Sequence, residues 1–166
     1  MDTLYEIKRS ITSEFIQGIR IPCYYVLIFE GNVTFSIDFN EYSCSGKSLL
    51  LLSPNQFFRW VQPESFDIDI LIIHNDFYGL GHNENGVTYM SNFFKSTYDI
   101  PYINVSKETF EEIHSIIKKI KRYKQQVESN FNISIFHSYL QVILALLARD
   151  KETKRSLKID SIYKPH

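Results

Sequence analysis

Cysteine is scarce and unpatterned in this chain of 166 residues. Cys23 and Cys44 stand in strand-like surroundings with no Cys-x-x-Cys or Cys/His spacing around them, which leaves two reduced, half-buried thiols of a cytosolic protein. Charge of one sign is also missing. With 18 basic against 19 acidic side chains, the molecule has no electrostatic footprint for a polyanion and does not read as a nucleic-acid binder by itself. The amino terminus, Met1-Asp2-Thr3-Leu4-Tyr5-Glu6, lacks the basic start and apolar block of a secretory signal. The longest apolar run, Val142 to Ala148, falls far short of the roughly eighteen residues of a membrane span. A cytoplasmic chain with no membrane partner is the expectation.

Catalytic patterns are missing as well. There is no Gly-rich phosphate loop and no Ser or Cys nucleophile in a recognisable frame. His74, His82, His114, His137 and His166 are scattered over a strand end, a loop, two helices and the terminus, without metal-ligand spacing. Asp67 and Asp69 share one strand face, as a carboxylate pair would need, but the alternation makes that the solvent face. No catalytic residue, metal ligand or cofactor is assigned, and the chain reads as a non-enzyme.

What the sequence does have is apolar and aromatic surface. Hydrophobic residues make up 44% and aromatics 15% of it, enough for a full core in one domain with an appended element. Turn signals at Gly31-Asn32, Asn40, Ser45-Gly46, Pro54-Asn55 and Pro63-Glu64-Ser65 leave room for one short strand between each pair, the spacing of an all-β sandwich or barrel. Gly31-Asn32, between two runs rich in aromatic and branched residues, predicts a hairpin with a two-residue II′ turn. Val33, Phe35, Ile37 and Phe39 alternate with Thr34, Ser36 and Asp38 and so share one face; Phe66, Ile68 and Ile70 alternate with Asp67 and Asp69. The continuous runs Leu49 to Leu52 and Ile70 to Ile73 need cover on both faces.

The period changes after Pro101. Ser106 caps a helix whose apolar residues Phe110, Ile113, Ile116, Ile117, Ile120, Tyr123 and Val127 recur at three- and four-residue spacing. Lys118, Lys119, Lys121, Arg122 and Lys124 gather at its carboxy end as a solvated face or, alternatively, a phosphate site. A second helix over about 134–149 carries Phe136, Tyr139, Leu140, Ile143 and Leu147 on one stripe and Ile135, Val142 and Leu146 on another. A helix apolar on two sides is buried on two sides, so a homodimer interface through Ile135, Tyr139, Val142, Ile143 and Leu146 is inferred. The organisation expected is an arm and barrel over 1–100, a helical pair packing on the barrel and dimerising over 101–150, and a charged tail or linker over 151–166.

Gly31 after a strand, Ser45-Gly46 opening a Leu-rich strand, Pro54-Asn55-Gln56 closing it, then Phe58 and Trp60, all followed by two helices, resemble the amino-terminal sensing half of AraC-type transcription regulators over about residues 15 to 150. The resemblance implies a mainly β fold with α, a cupin-like (jelly-roll) β-barrel followed by two carboxy-terminal helices. It also implies homodimerisation and a small-molecule effector. DNA contact would come only from a helix-turn-helix region absent from these residues. The histidines that often precede the first hairpin in that family fall here on Gly18 and Arg20, and a later one on Phe58, which argues against a metal-dependent cupin enzyme. On this reading the effector site is the barrel interior: Phe58 and Trp60, two apart on one strand, joined by Phe35 and Tyr25, with Arg20 at the mouth and His74 or Tyr78 at a strand end. The alternative is that Phe35, Phe58 and Trp60 fill the barrel as core, making the chain a dimerisation module that senses nothing.

Overall fold

The computed structural model describes residues 5–11, 17–61, 67–74, 102–124 and 130–163, by backbone alone beyond 151. Phe66, Tyr78, His82, Val127 and His166 lie outside this set. The chain divides into two compact units, Met1–Asn104 and Val105–His166.

Among the described residues the first unit holds nine strands: β1 (Tyr5–Ile11), β2 (Ile19–Arg20), β3 (Tyr24–Glu30), β4 (Val33–Ile37), β5 (Asn40–Cys44), β6 (Lys47–Leu52), β7 (Phe57–Trp60), β8 (Asp67–Ile73) and β9 (Tyr102–Asn104). They form a five-stranded sheet in the order β1-β8-β3-β6-β9 and a four-stranded sheet in the order β2-β7-β4-β5. Every pairing is antiparallel. With the two helices of the second unit this is a mainly β fold with α, a cupin-like (jelly-roll) barrel followed by a helical pair.

The hairpin expected at Gly31-Asn32 is not one. Strand β3 bonds to β6 and β8, whereas β4 bonds to β5 and β7, so Gly31-Asn32 carries the chain from one sheet to the other. Ser45-Gly46 carries it back, and the two corners are tied by Gly31 N–H donating to the Gly46 carbonyl at 3.1 Å. The true hairpin turn joins β4 to β5 through Asp38 and Phe39, with φ of 48° and 70°. Two successive positive φ values are the I′ geometry that suits the twist of paired strands. The turn lifts Phe39 out of the inward alternation, and its ring is 85% exposed, against the expectation that it would join Val33, Phe35 and Ile37. The segment after β6 reads as Pro54-Asn55 predicts: Asn55 has φ 74° and Gln56 N–H donates to the Ser53 carbonyl, the type II turn that favours Pro then Asn.

The interior between the sheets is aromatic. Phe35 lies opposite Trp60 and Tyr42, and Ile37 opposite Phe58, so cross-strand neighbours on one sheet face form a continuous row. Trp60 receives Phe29 from the facing sheet at a ring-centroid distance of 5.7 Å, Phe58 at 4.9 Å and Phe35 at 6.0 Å, all close to perpendicular. That is the edge-to-face arrangement aromatic quadrupoles prefer. In the five-stranded sheet Leu49–Leu52 and Ile70–Ile73 are buried on both faces, as continuous apolar runs require.

The second unit pairs α1 (Lys107–Lys124) with α2 (Asn130–Tyr163). Ser106 caps α1: its Oγ accepts from Thr109 N–H at 3.2 Å, and its carbonyl accepts from Phe110 N–H. Phe110, Ile113, Ile116, Ile117 and Ile120 are buried, the stripe the spacing predicts. Tyr123 packs beside Tyr139 of α2 at 6.3 Å. Helix α2 begins before the expected Ser134 and runs on past Arg149, so the backbone over 151–163, read from its charges as a tail, is helical. Lys, Glu, Arg and Leu are good helix formers and neither Gly nor Pro interrupts the stretch. Charge alone does not end a helix.

The segment Phe131–Lys151 is long and apolar enough, by length and composition, to cross a membrane. The sequence count missed this because Asn, Ser, His and Gln break the run without lowering its mean hydropathy much. A core helix passes the same test, and Phe136, Leu140, Ile143, Leu144, Leu146 and Leu147 are buried in the chain.

Asp150, 8% exposed, locks the two helices together. Its Oδ2 accepts from Ser106 N–H and its Oδ1 from the Thr109 hydroxyl, both at 2.8 Å. Asp150→Ala leaves two donors at the start of α1 without this acceptor and should cost about 1–3 kcal/mol, read as a lower urea midpoint. Phe35→Ala, which opens a hole beside Trp60, Phe58 and Tyr42, should cost about 3–5 kcal/mol on the same measurement.

Candidate functional site

The residues expected to line an effector pocket inside the barrel are mostly core. Phe35 and Trp60 are fully buried, Phe58 is 1% exposed, and Tyr25 belongs to the same cluster. Burial pushes the Tyr25 phenol above its ordinary pKa, with the neighbouring Cys23 and Glu6 adding to the shift. Arg20 is exposed on β2 and serves the fold: it donates to the Asn55 carbonyl at 2.7 Å and lies over the Phe57 ring at 5.8 Å. Gly18, with φ 90°, faces that same ring, which a Cβ would meet at 2.4 Å. His74, at the end of β8, is partly exposed and sits 3.5 Å from Glu6 of β1. Tyr78 is outside the described residues. The structure therefore brings Tyr25, Phe35, Phe58 and Trp60 together and leaves Arg20 and His74 at the surface.

The acidic pair is spent on the fold too. Asp67 is exposed and binds Arg9 of β1 at 2.7 Å, and both Asp67 and Asp69 raise the Arg9 pKa, Asp67 first through its hydrogen bond. Of the histidines on helices, His114 packs against Phe110 at 4.5 Å. Lys118, Lys119 and Arg122 are exposed at the carboxy end of α1, where the helix offers carbonyl oxygens, an arrangement that repels an anion. Among the described residues no group of three or more His, Cys, Asp or Glu side chains is placed to hold a metal ion.

A pocket open to solvent does exist, at a place the sequence did not suggest. Among the described residues, strand β5 is the last strand of the four-stranded sheet and β9 the last of the five-stranded one. Between them opens a pocket of about 400 Å³ lined by Asn32, Val33, Thr34, Ser43, Cys44, Ser45, Tyr102 and Asn104. Small-molecule sites commonly span about 300–1,000 Å³.

Local structure explains each wall. Asn32 lies in one inter-sheet corner and Ser45 in the other. Thr34 and Ser43 are register partners on β4 and β5, and their hydroxyls lie 3.0 Å apart. On the opposite wall Ser48, fully buried, donates to Asn104 Oδ1 at 2.8 Å and so fixes the carboxamide on β9. Tyr102 packs its ring edge-on to Phe35 at 6.1 Å, half-buried between core and pocket. Burial pushes the Cys44 thiol up to about 11, with the Ser48 hydrogen bond acting the other way, so it is a neutral thiol at physiological pH. The signal that could have found this wall is the small polar run Ser43-Cys44-Ser45 facing Asn32 and Thr34; it reads first as turn chemistry.

The expected dimer residues divide. Ile143 and Leu146 are buried within the single chain, Ile135 and Tyr139 are half-buried, and Val142 is 43% exposed. Phe131, one turn before Ile135, is 80% exposed.

No family model matches the sequence, and no curated protein sequence matches it. The fold does have solved likenesses. An apo form of ToxT from Vibrio cholerae strain SCE256 superposes with a TM-score of 0.51 at 10% identity, covering 92% of this chain and 57% of that one. A second ToxT structure gives 0.50 at 14% identity, covering 89% and 57%. A third, of ToxT with bound unsaturated fatty acid, gives 0.46 at 15% identity, covering 92% and 56%. This chain thus spans a little over half the length of the proteins it resembles in structure. At such identities the likeness is one of fold: this cupin-like barrel with its helical pair is similar to the amino-terminal domain of ToxT, an AraC-family regulator.

Proposed function

We propose that this chain is a cytoplasmic effector-sensing and dimerisation domain of an AraC-type transcription regulator, with the effector held in the seam between β5 and β9. The observation that carries the reading is that pocket, lined by residues of β4, β5 and β9 in a fold similar to that of ToxT. An occupant bonded to both edges would bias the arrangement of the sheets by its differential affinity for the two states. DNA would be read by a helix-turn-helix region that the resemblance places outside these residues.

Dimerisation would use the side of α2 that the chain leaves open, marked by Phe131 and Val142 with Ile135 and Tyr139 beside them. Ile143 and Leu146, inferred from the sequence as interface, are already buried within one chain and serve a partner less well than its own core. The domain division, with barrel and arm over 1–100, dimerising helices over 101–150 and a connecting segment beyond, belongs to the same proposal.

A second reading has its own support. The interior cluster of Phe29, Phe35, Phe58 and Trp60 is filled, as in a dimerisation module that senses nothing.

Two measurements test the proposal. A thermal-shift screen across sugars, nucleosides, organic acids and lipids should find a ligand class that raises the melting temperature with concentration; a stable dimer with no hits would favour the second reading. Val142→Asp, on an exposed position, should convert the sedimenting dimer to monomer without lowering the melting temperature of the fold, because association would bury an unpaired carboxylate. An unchanged dimer would remove α2 from the interface.

A further inference from the structure

The outer face of the four-stranded sheet carries a feature that effector sensing does not use. At the turn between β4 and β5, Phe39 sits at φ 70° with its ring 85% exposed. The second position of a I′ turn suits Gly, and a bulky side chain there is rare and strained. Strain of this kind gathers at functional surfaces. The exposed ring is also held in place: it stacks on Phe57 of β7 at 5.7 Å and 22°, and Arg20 lies over the Phe57 ring at 5.8 Å. Asp38 fastens the turn to β7, its Oδ1 accepting from Phe57 N–H and its own N–H donating to the Phe57 carbonyl, both at 2.9 Å.

The charges beside this ring pair have a particular order. Phe58 and Trp60 are buried in the core, so Phe57 and Arg59 project from the outer side of β7. Arg59 is the register partner of Ser36, and Ser36 of Glu41. One row across the sheet therefore reads Arg59, Ser36, Glu41, with both charged residues exposed and the serine, 5% exposed, between them. Neighbouring strands lie about 4.8 Å apart, which sets cation and anion about 10 Å from each other on either side of a small residue.

That row is self-complementary. A two-fold axis running along β4 at Ser36, with two copies face to face, turns each Arg59 onto the partner's Glu41 and each Glu41 onto the partner's Arg59, as an isologous contact requires. Facing sheets pack about 10 Å apart, a gap that an arginine and a glutamate side chain span together, while Ser36 keeps the axis clear of bulk. The same rotation leaves Phe39 at its own height along the strands. Each Phe39 then meets the other copy's ring pair and gains burial and aromatic contact. A partner of one charge sign would oppose either Arg59 or Glu41 with a like charge; a second copy answers both.

We propose that the outer face of the four-stranded sheet is a self-association surface for a second copy of this chain, centred on Ser36 and anchored by Phe39. It shares no residue with the α2 face assigned to dimerisation. A chain that used both would join dimers into larger assemblies.

The test is sedimentation of the whole chain carrying Val142→Asp, which takes the α2 contact out of the readout, over a wide concentration series. The expected result is association that grows with concentration and weakens with added salt. In that background Arg59→Glu or Glu41→Arg should weaken it about tenfold or more, because each sets like charges opposite each other at both ends of the contact. The double exchange Arg59→Glu/Glu41→Arg should restore it, and so should mixing the two single variants. Phe39→Gly should abolish it without lowering the melting temperature, since Asp-Gly is a sequence the turn favours.

A chain that stays monomeric at every concentration, or an association indifferent to changes at Phe39, Arg59 and Glu41, would overturn the proposal. Association lost on Phe39→Gly but not rescued by the charge exchange would reject the two-fold pairing about Ser36. Rings beside arginines also suit a stacked base and its phosphate, so labelled oligothymidylate is titrated in parallel by fluorescence anisotropy. Saturable binding of that strand, lost on Phe39→Gly and seen without self-association, would give the face to single-stranded nucleic acid and end the case for a second copy.

Discussion

The contact on which the barrel depends is the perpendicular packing of Phe29 on Trp60. Phe29 comes from the five-stranded sheet and Trp60 from the four-stranded one, so this pair, with Phe35 and Phe58 around it, joins the two layers. A buried aromatic side chain contributes about 1.5–3 kcal/mol by area alone, and each well-oriented ring pair about 0.5–1.5 kcal/mol more. Much of the remaining geometry adjusts to it: the register that sets Phe35 opposite Trp60, the corner at Gly31-Asn32 that lets β4 leave the sheet of β3, and the I′ turn at Asp38-Phe39 that returns the chain beside it.

That packing has a consequence for where a ligand can go. Rings that fill the centre of a small barrel leave little room for anything else, because interiors are packed as densely as organic crystals. Among the described residues, space is left instead beside β5 and β9, and there the lining changes from aromatic to small and polar. The change is abrupt along single strands. Phe35 and Thr34 are neighbours, one in the core and one on the pocket wall, because successive residues of a strand face opposite ways.

The helical unit solves a different problem. Most helical stability in proteins comes from packing an amphipathic face rather than from propensity, and the first turn of a helix leaves backbone N–H groups without partners within the helix. Ser106 satisfies one from its own side chain, and Asp150, from a distant part of α2, takes the N–H of Ser106 itself. The beginning of one helix is thereby fastened to the middle of the other, and the buried stripe of α1 is held in register against its partner. The face of α2 that carries Phe131 and Val142 takes no part in this and stays open.

What could be read from the residues alone follows from physics that acts over a few positions. Alternation put Val33, Phe35 and Ile37 on one face and set Phe58 and Trp60 together on another strand, whose inner side only the resemblance implied; three- and four-residue spacing marked the buried side of α1; Ser106 announced its cap, and Pro54-Asn55 its turn. Sterics and periodicity are local, so they survive in a one-dimensional string. Which strands would pair could not be read in the same way. Gly31-Asn32 has the composition of a hairpin turn, and only the competing attraction of β6 and β8 for β3 makes it a crossing between sheets. The charges after Asp150 suggested a tail although Lys, Glu, Arg and Leu are good helix formers and neither Gly nor Pro interrupts 151–163. The pocket was the least visible feature, because its walls, Asn32 to Ser45 on one side and Tyr102 to Asn104 on the other, are far apart in the chain. A cavity is the space left after non-local pairing and packing are settled, so the sequence determined the strands, helices and inner face, and the tertiary structure decided where the fold stays open.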